Sequence, residues 1–306
     1  GIIYDLFINN PKANSRGEFK TRDEVMEEIG RILGPGCDIS VELNDPFHSS
    51  QQQILEEAAH FRDMLSKYRV VIKVPHTGPV SRHNVHDLMK GDRTFPLRYT
   101  KGTVEDSMLG HNLALMLQEN GYRVNFTLMF EPYQTALALQ ARPYFINSFI
   151  RHRHMQSQFM NGYLAAYKAS GQIQFLQQLR DYMLKTDYLS NQDKEQDLLT
   201  VQSMAEYELA YRHFGDSEGA DGLDGVRHNL RVLQQANLPD TKLILCSMEG
   251  ESMFRDIDKL LAESEFLNMN GRVVLTAEPG YLARFTSANQ VVSYQRRFMN
   301  AANGQK

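Results

Sequence analysis

The sequence has no tryptophan, only two cysteines, and no apolar run approaching the roughly 20 residues of a membrane-spanning helix. Cys37 and Cys246 lie far apart in the chain, which argues against a disulfide framework and for two reduced thiols. The N-terminus lacks the series of charged segment, apolar stretch and small-residue cleavage site that marks a secretory leader. The expected location is therefore cytoplasmic, with no membrane partner. An excess of basic residues is also missing: 33 Lys and Arg stand against 37 Asp and Glu, a net charge of −4. A nucleic-acid partner, which would favour a basic stripe, is not expected. No internal repeat or low-complexity tract is found, and no Gly-rich dinucleotide fingerprint follows an early strand.

What is there is ordinary globular material. The 306 residues are 42% hydrophobic and 23% charged, and the mean hydropathy is −0.45. That suffices for one large α/β domain or two smaller ones, and length alone does not decide. Short β-branched runs at 2–8, 38–43, 69–74, 123–130, 144–150, 242–248 and 272–277 read as strands, most of them nearly continuously apolar. Between them, residues 22–33, 51–65, 108–119, 133–140 and 252–262 carry apolar residues at helical spacing. Thr21 followed by Glu24 reads as a capping box for the first helix. Strand alternating with helix predicts parallel βα units, in a barrel or an open sheet. The strand candidates number seven, one short of a closed eight-stranded barrel.

Two stretches break this rhythm. Residues 78–106 read as a long βα loop, of the kind that carries function at the C-terminal face of a barrel. Residues 151–240 read as a mostly helical insertion, with helices at 172–184 and 198–214 and a Gly/Asp-rich turn at 215–225.

Lys73 stands in the apolar run Val70-Val71-Ile72-Lys73-Val74-Pro75. Burial disfavours a charged amine, and a neutral amine at a strand's C-terminal end is what Schiff-base chemistry on a carbonyl needs. The plainer reading is a lysine that snorkels to solvent or pairs with a carboxylate. Glu42 ends another apolar run, and Asn125 and Thr127, two apart, share one face of a third strand. Together they offer a carboxylate, an amide and a hydroxyl for proton transfer through a bound water.

In order and register these segments resemble the transaldolase and fructose-6-phosphate aldolase family. The pieces that carry the resemblance are Ile8-Asn9-Asn10-Pro11, Val41-Glu42, Ile72-Lys73-Val74-Pro75, Asn125-Phe126-Thr127-Leu128, residues 145–150, Cys246-Ser247 and residues 275–282. The resemblance implies a single-domain TIM-type (β/α) barrel of parallel strands over 1–306, the helical insertion following the sixth barrel strand. It implies a class I, metal-free aldolase or transaldolase needing no cofactor and acting on a sugar or sugar phosphate. Lys73 would form the imine, and Glu42 with Thr127 would hold a catalytic water. Asn10 and Asn125 would bind substrate hydroxyls or the imine intermediate. Ser247 would line the phosphate end, and Phe149 would sit near the reacting carbon. The family's proton-transferring aspartate ends its first strand, and Asp5 is the nearby candidate.

The chain departs from the family after the seventh strand, where Ser247-Met248-Glu249 replaces Ser-Phe-Arg; an acid there would repel a phosphate. Arg151 and Arg153, in the cluster Arg151-His152-Arg153-His154, offer compensating charge. His76, His83 and His86 lack a convincing third ligand, so no metal is expected. Arg82, Arg93 and Arg98 in the long loop are candidates for gripping an anion or acting as a lid. Two rival readings stand beside the aldolase: a non-catalytic barrel descendant serving as a ligand-binding or assembly module, and a lyase using the same imine. A homo-oligomer remains open.

Overall fold

The structure is a computed structural model that describes residues 7–12, 14–76, 78, 80–98, 101–246, 250–276 and 287–305. Helix α1 (Arg22–Leu33) opens the repeating part of the chain, and its start follows from side-chain chemistry. Thr21 accepts from the Glu24 N–H, and the Glu24 carboxylate accepts from the Thr21 N–H at 3.1 Å, closing the capping box. Ser50 and Gln53 do the same for α2 (Gln51–Met64). The chain continues β1 (Asp38–Glu42), α2, β2 (Arg69–Pro75), α3 (Val85–Lys90), α4 (Val104–Glu119), β3 (Arg123–Thr127), α5 (Pro132–Gln140) and β4 (Phe145–Phe149). Four helices follow, α6 (Ile150–Ser170), α7 (Gln174–Lys185), α8 (Leu198–Tyr211) and α9 (Asp224–Gln235). They lead to β5 (Lys242–Cys246), α10 (Gly250–Leu261) and β6 (Val273–Leu275).

The six strands lie in sequence order in one sheet, and the pairs from β1 to β5 are all parallel. The sheet is a curled half-barrel of parallel strands with helices, a TIM-like α/β arrangement. Of the first strand candidate, 2–8, residues 2–6 lie outside the described residues; Phe7 and Ile8 form a helical turn. The long loop 78–106 contains the short helix α3, which its sequence did not announce.

Alternation along each strand sorts the side chains into two unlike faces. One face carries Ile72 and Val74, Val124 and Phe126, Ile146, Leu243 and Leu245, all buried in a single core with residues of α2, α4, α5, α9 and α10. Burial of each such side chain stabilises the fold by about 1.5–3 kcal/mol. The other face carries Ser40, Glu42, Lys73, Asn125, Thr127, Asn147 and Cys246, brought side by side by the parallel register. A second core, including Met160, Leu164, Leu179 and Val201, holds α6, α7 and α8 together.

The chain divides into two compact units, 1–274 and 275–306. In the second, α11 (Ala288–Ala302) has no buried residue, and its Tyr294 and Phe298 rings lie 4.6 Å apart.

Candidate active site

Parallel pairing sets Glu42 directly opposite Lys73, and Lys73 opposite Asn125. The Lys73 Nζ donates to Glu42 Oε1 at 2.9 Å, with the two side chains 23% and 38% exposed. The lysine is thus neither sealed in apolar surroundings nor turned to bulk solvent. A carboxylate at hydrogen-bond distance can take a proton from the ammonium and free its lone pair, the requirement for attack on a carbonyl.

A buried polar ladder runs beside this pair. The Asn125 Nδ2 donates to Ser40 Oγ at 2.9 Å, and Asn147 Nδ2 donates to Asn125 Oδ1 at 2.7 Å. Asn125 and Asn147 are only 2% and 4% exposed, so each amide needs these partners. Because β2 lies between β1 and β3, the Asn125–Ser40 bond passes over β2 between Val71 and Lys73. The Cys246 thiol ends the ladder, donating to Ser148 O at 3.4 Å and lying 3.9 Å from Asn147 Oδ1. Burial pushes this thiol up to about 12, although the charge of Lys73 and the contact with Ser148 pull it down. It therefore stays protonated at neutral pH.

Thr127 lies toward the strand ends, paired with Pro75 and 7% exposed. Phe149 closes β4 opposite Cys246. Its ring centroid is 5.0 Å from that of Phe130, which is 5.0 Å from His152. Gln134 fixes the β3–α5 turn: its Oε1 accepts the N–H groups of Phe130 at 2.6 Å and Glu131 at 2.8 Å. Its amide nitrogen meets His76 Nδ1 at 3.1 Å, tying this turn to the end of β2.

The structure therefore brings Lys73, Glu42, Asn125, Thr127 and Phe149 onto one sheet face. Asn10 serves a local turn, its Oδ1 accepting the Lys12 N–H at 3.0 Å. Arg151 is exposed on the first turn of α6. Arg153 is 5% exposed and committed to two carboxylates, Glu131 at 3.0 Å and Asp224 at 2.5 Å. Its neighbour Arg212, 1% exposed, shares Glu131 at 2.7 Å and also pairs with Glu208 at 2.7 Å. Arg98 forks onto Asp193 at 2.8 Å, so it holds the long loop to the helical segment. Asp5 and Ser247 lie outside the described residues. Among the described residues no three His, Cys, Asp or Glu side chains gather as a metal site.

Ser40, Asn147, Phe130 and Gln134 were not marked by the sequence reading. Their only signal was polarity or aromaticity inside or just after an apolar run.

No curated protein matches the chain. The sequence profile of the transaldolase/fructose-6-phosphate aldolase family matches residues 19–213, more than half of the chain. That span contains the lysine, its carboxylate and both asparagines of the ladder. The chain belongs to the transaldolase/fructose-6-phosphate aldolase family.

Proposed function

We propose that the protein is a class I aldolase or transaldolase that forms a Schiff base through Lys73 and cleaves or transfers a ketol unit of a sugar or sugar phosphate. The observation that carries this reading is the 2.9 Å contact between Lys73 Nζ and Glu42 Oε1 on the polar face of a sheet of this family.

Glu42 accepts a proton from Lys73, and the amine adds to the ketose carbonyl carbon. The carbinolamine then loses its oxygen as water, giving an iminium. A base removes the proton of the hydroxyl on the β carbon; the bond between the α and β carbons breaks, and its electron pair flows into the iminium to give an enamine. The β carbon leaves as an aldehyde. The enamine is then protonated, or it adds to a second aldehyde, and in either case water hydrolyses the resulting iminium to release the product and restore the amine. Glu42 and Thr127 hold the water that carries these protons, and Asn125 binds a substrate hydroxyl. Phe149, with Phe130, lines the mouth above them.

Borohydride reduction in the presence of a ketose tests the reading. A stable adduct at Lys73, found by peptide mass spectrometry and absent from Lys73→Met, is the expected result. Failure to trap any adduct across phosphorylated and unphosphorylated ketoses would overturn it. A second reading, a non-catalytic barrel descendant, draws on the same ion pair, since a lysine held by a carboxylate also suits a purely structural role.

A further inference from the structure

The turns that enter β3, β4 and β5 border an open cleft of about 490 Å³ at the opposite ends of these strands from Thr127 and Phe149. Tyr122, Tyr144 and Leu238 form its organic walls, Arg123 and Arg142 enter it, and Asp240 is the one acid of the lining. Arg123 lies over the Tyr144 ring, 5.7 Å from its centroid. Among the described residues neither Arg123 nor Arg142 pairs its guanidinium with a carboxylate or a carbonyl.

Other residues hold the walls in place. Thr241 Oγ1 donates to Pro143 O at 2.6 Å, and the Gln118 amide donates to Arg142 O at 2.8 Å. Behind the third turn, Arg272 donates to Thr241 O at 3.1 Å, Leu238 O at 2.6 Å and Leu233 O at 3.2 Å. Helices α4, α5 and α9 all end at this side, and their carbonyl ends are electronegative. Arg272 answers α9 through the carbonyl of Leu233, its one contact within that helix. Arg123 and Arg142, both exposed, are left as two planar forks beside this open, partly aromatic cleft.

We infer that this cleft binds a compact phosphate, either inorganic phosphate or the phosphate group of a small ester, with Arg123 and Arg142 as its donors. Guanidinium forks match phosphate oxygens in geometry and charge.

Isothermal titration at constant ionic strength tests this with inorganic phosphate and glycerol phosphate, on the wild type and on Lys73→Met. Both proteins are expected to bind with equal affinity, which separates the cleft from the lysine site. Arg123→Gln and Arg142→Asn are each expected to weaken binding at least about tenfold. Asparagine suits position 142, where φ is +50°, because it tolerates the left-handed region. Should Arg123→Gln fail to fold, Arg142→Asn carries the test alone. Tighter binding of the ester identifies an ester as the ligand, and equal affinity identifies bare phosphate. No saturable heat with either probe, or affinity unchanged in Arg142→Asn, overturns the inference.

Discussion

The amide of Asn125 donates to the hydroxyl of Ser40 at 2.9 Å, joining two strands that do not pair with each other. With Asn147 holding the opposite end of the same amide, Asn125 has one orientation. Asn147→Leu would leave the Asn125 oxygen buried without its donor, at a cost of about 1–3 kcal/mol. Urea unfolding should show that loss, and the variant should lose more in kcat than in KM. An unchanged kcat would reduce the ladder to a purely structural device.

Glu42→Gln keeps the shape of the side chain and removes the base. Turnover of an accepted ketose should fall by about 10²- to 10⁴-fold, while borohydride still traps Lys73 slowly. Full turnover in Glu42→Gln would assign the proton work elsewhere.

Cys246 is expected to resist iodoacetamide at pH 8 in the folded protein, because burial holds its thiol near 12. Alkylation should become rapid only in denaturant, as followed by peptide mass spectrometry. Fast labelling of the native chain would place the thiol in a different setting.

Arg153 separates a phosphate ligand from a structural cation. Arg153→Met removes one member of a buried ion network and should destabilise the protein by about 3–5 kcal/mol. Below its lowered melting temperature, its KM for a phosphorylated sugar should match the wild type. A raised KM with unchanged stability would return Arg153 to the substrate.

The bond between Arg98 and Asp193 sets an acid limit. The Arg98 fork, joined by bonds from Ser190 and opposed by burial, holds the Asp193 carboxyl down to about 2. A depressed carboxyl contributes stability that is complete above the unfolded value of about 3.9 and is lost as pH falls toward about 2. The protection factors of the Ser190 and Asn191 amides, which correct for the intrinsic pH dependence of exchange, should therefore hold at pH 5 and fall below about 4. Asp193→Asn should show the lowered protection at every pH.

Much of the sheet was legible because most of its helix-facing residues are apolar. Ile72, Val74, Val124 and Phe126 need no knowledge of their neighbours to be recognised as core. The first helix was equally plain, since Thr21 and Glu24 act within one turn. Ser40 and Asn147 were not legible, because their partner Asn125 lies 85 and 22 residues away. Arg153 was read as a ligand from its charge, yet helical spacing back from Met160 and Leu164 through Ser157 turns it inward. The first strand candidate failed at Phe7 and Ile8 because an apolar run this short suits a helical turn as well as a strand.

The loop that leaves the lysine strand is fastened at its far side: Asn191 N–H donates to Phe95 O at 2.8 Å, and Arg98 grips Asp193. A few loose residues therefore cannot swing alone. Displacing that flank must carry the turn at 190–196 with it, so its motion is tied to how readily the three-helix block gives way.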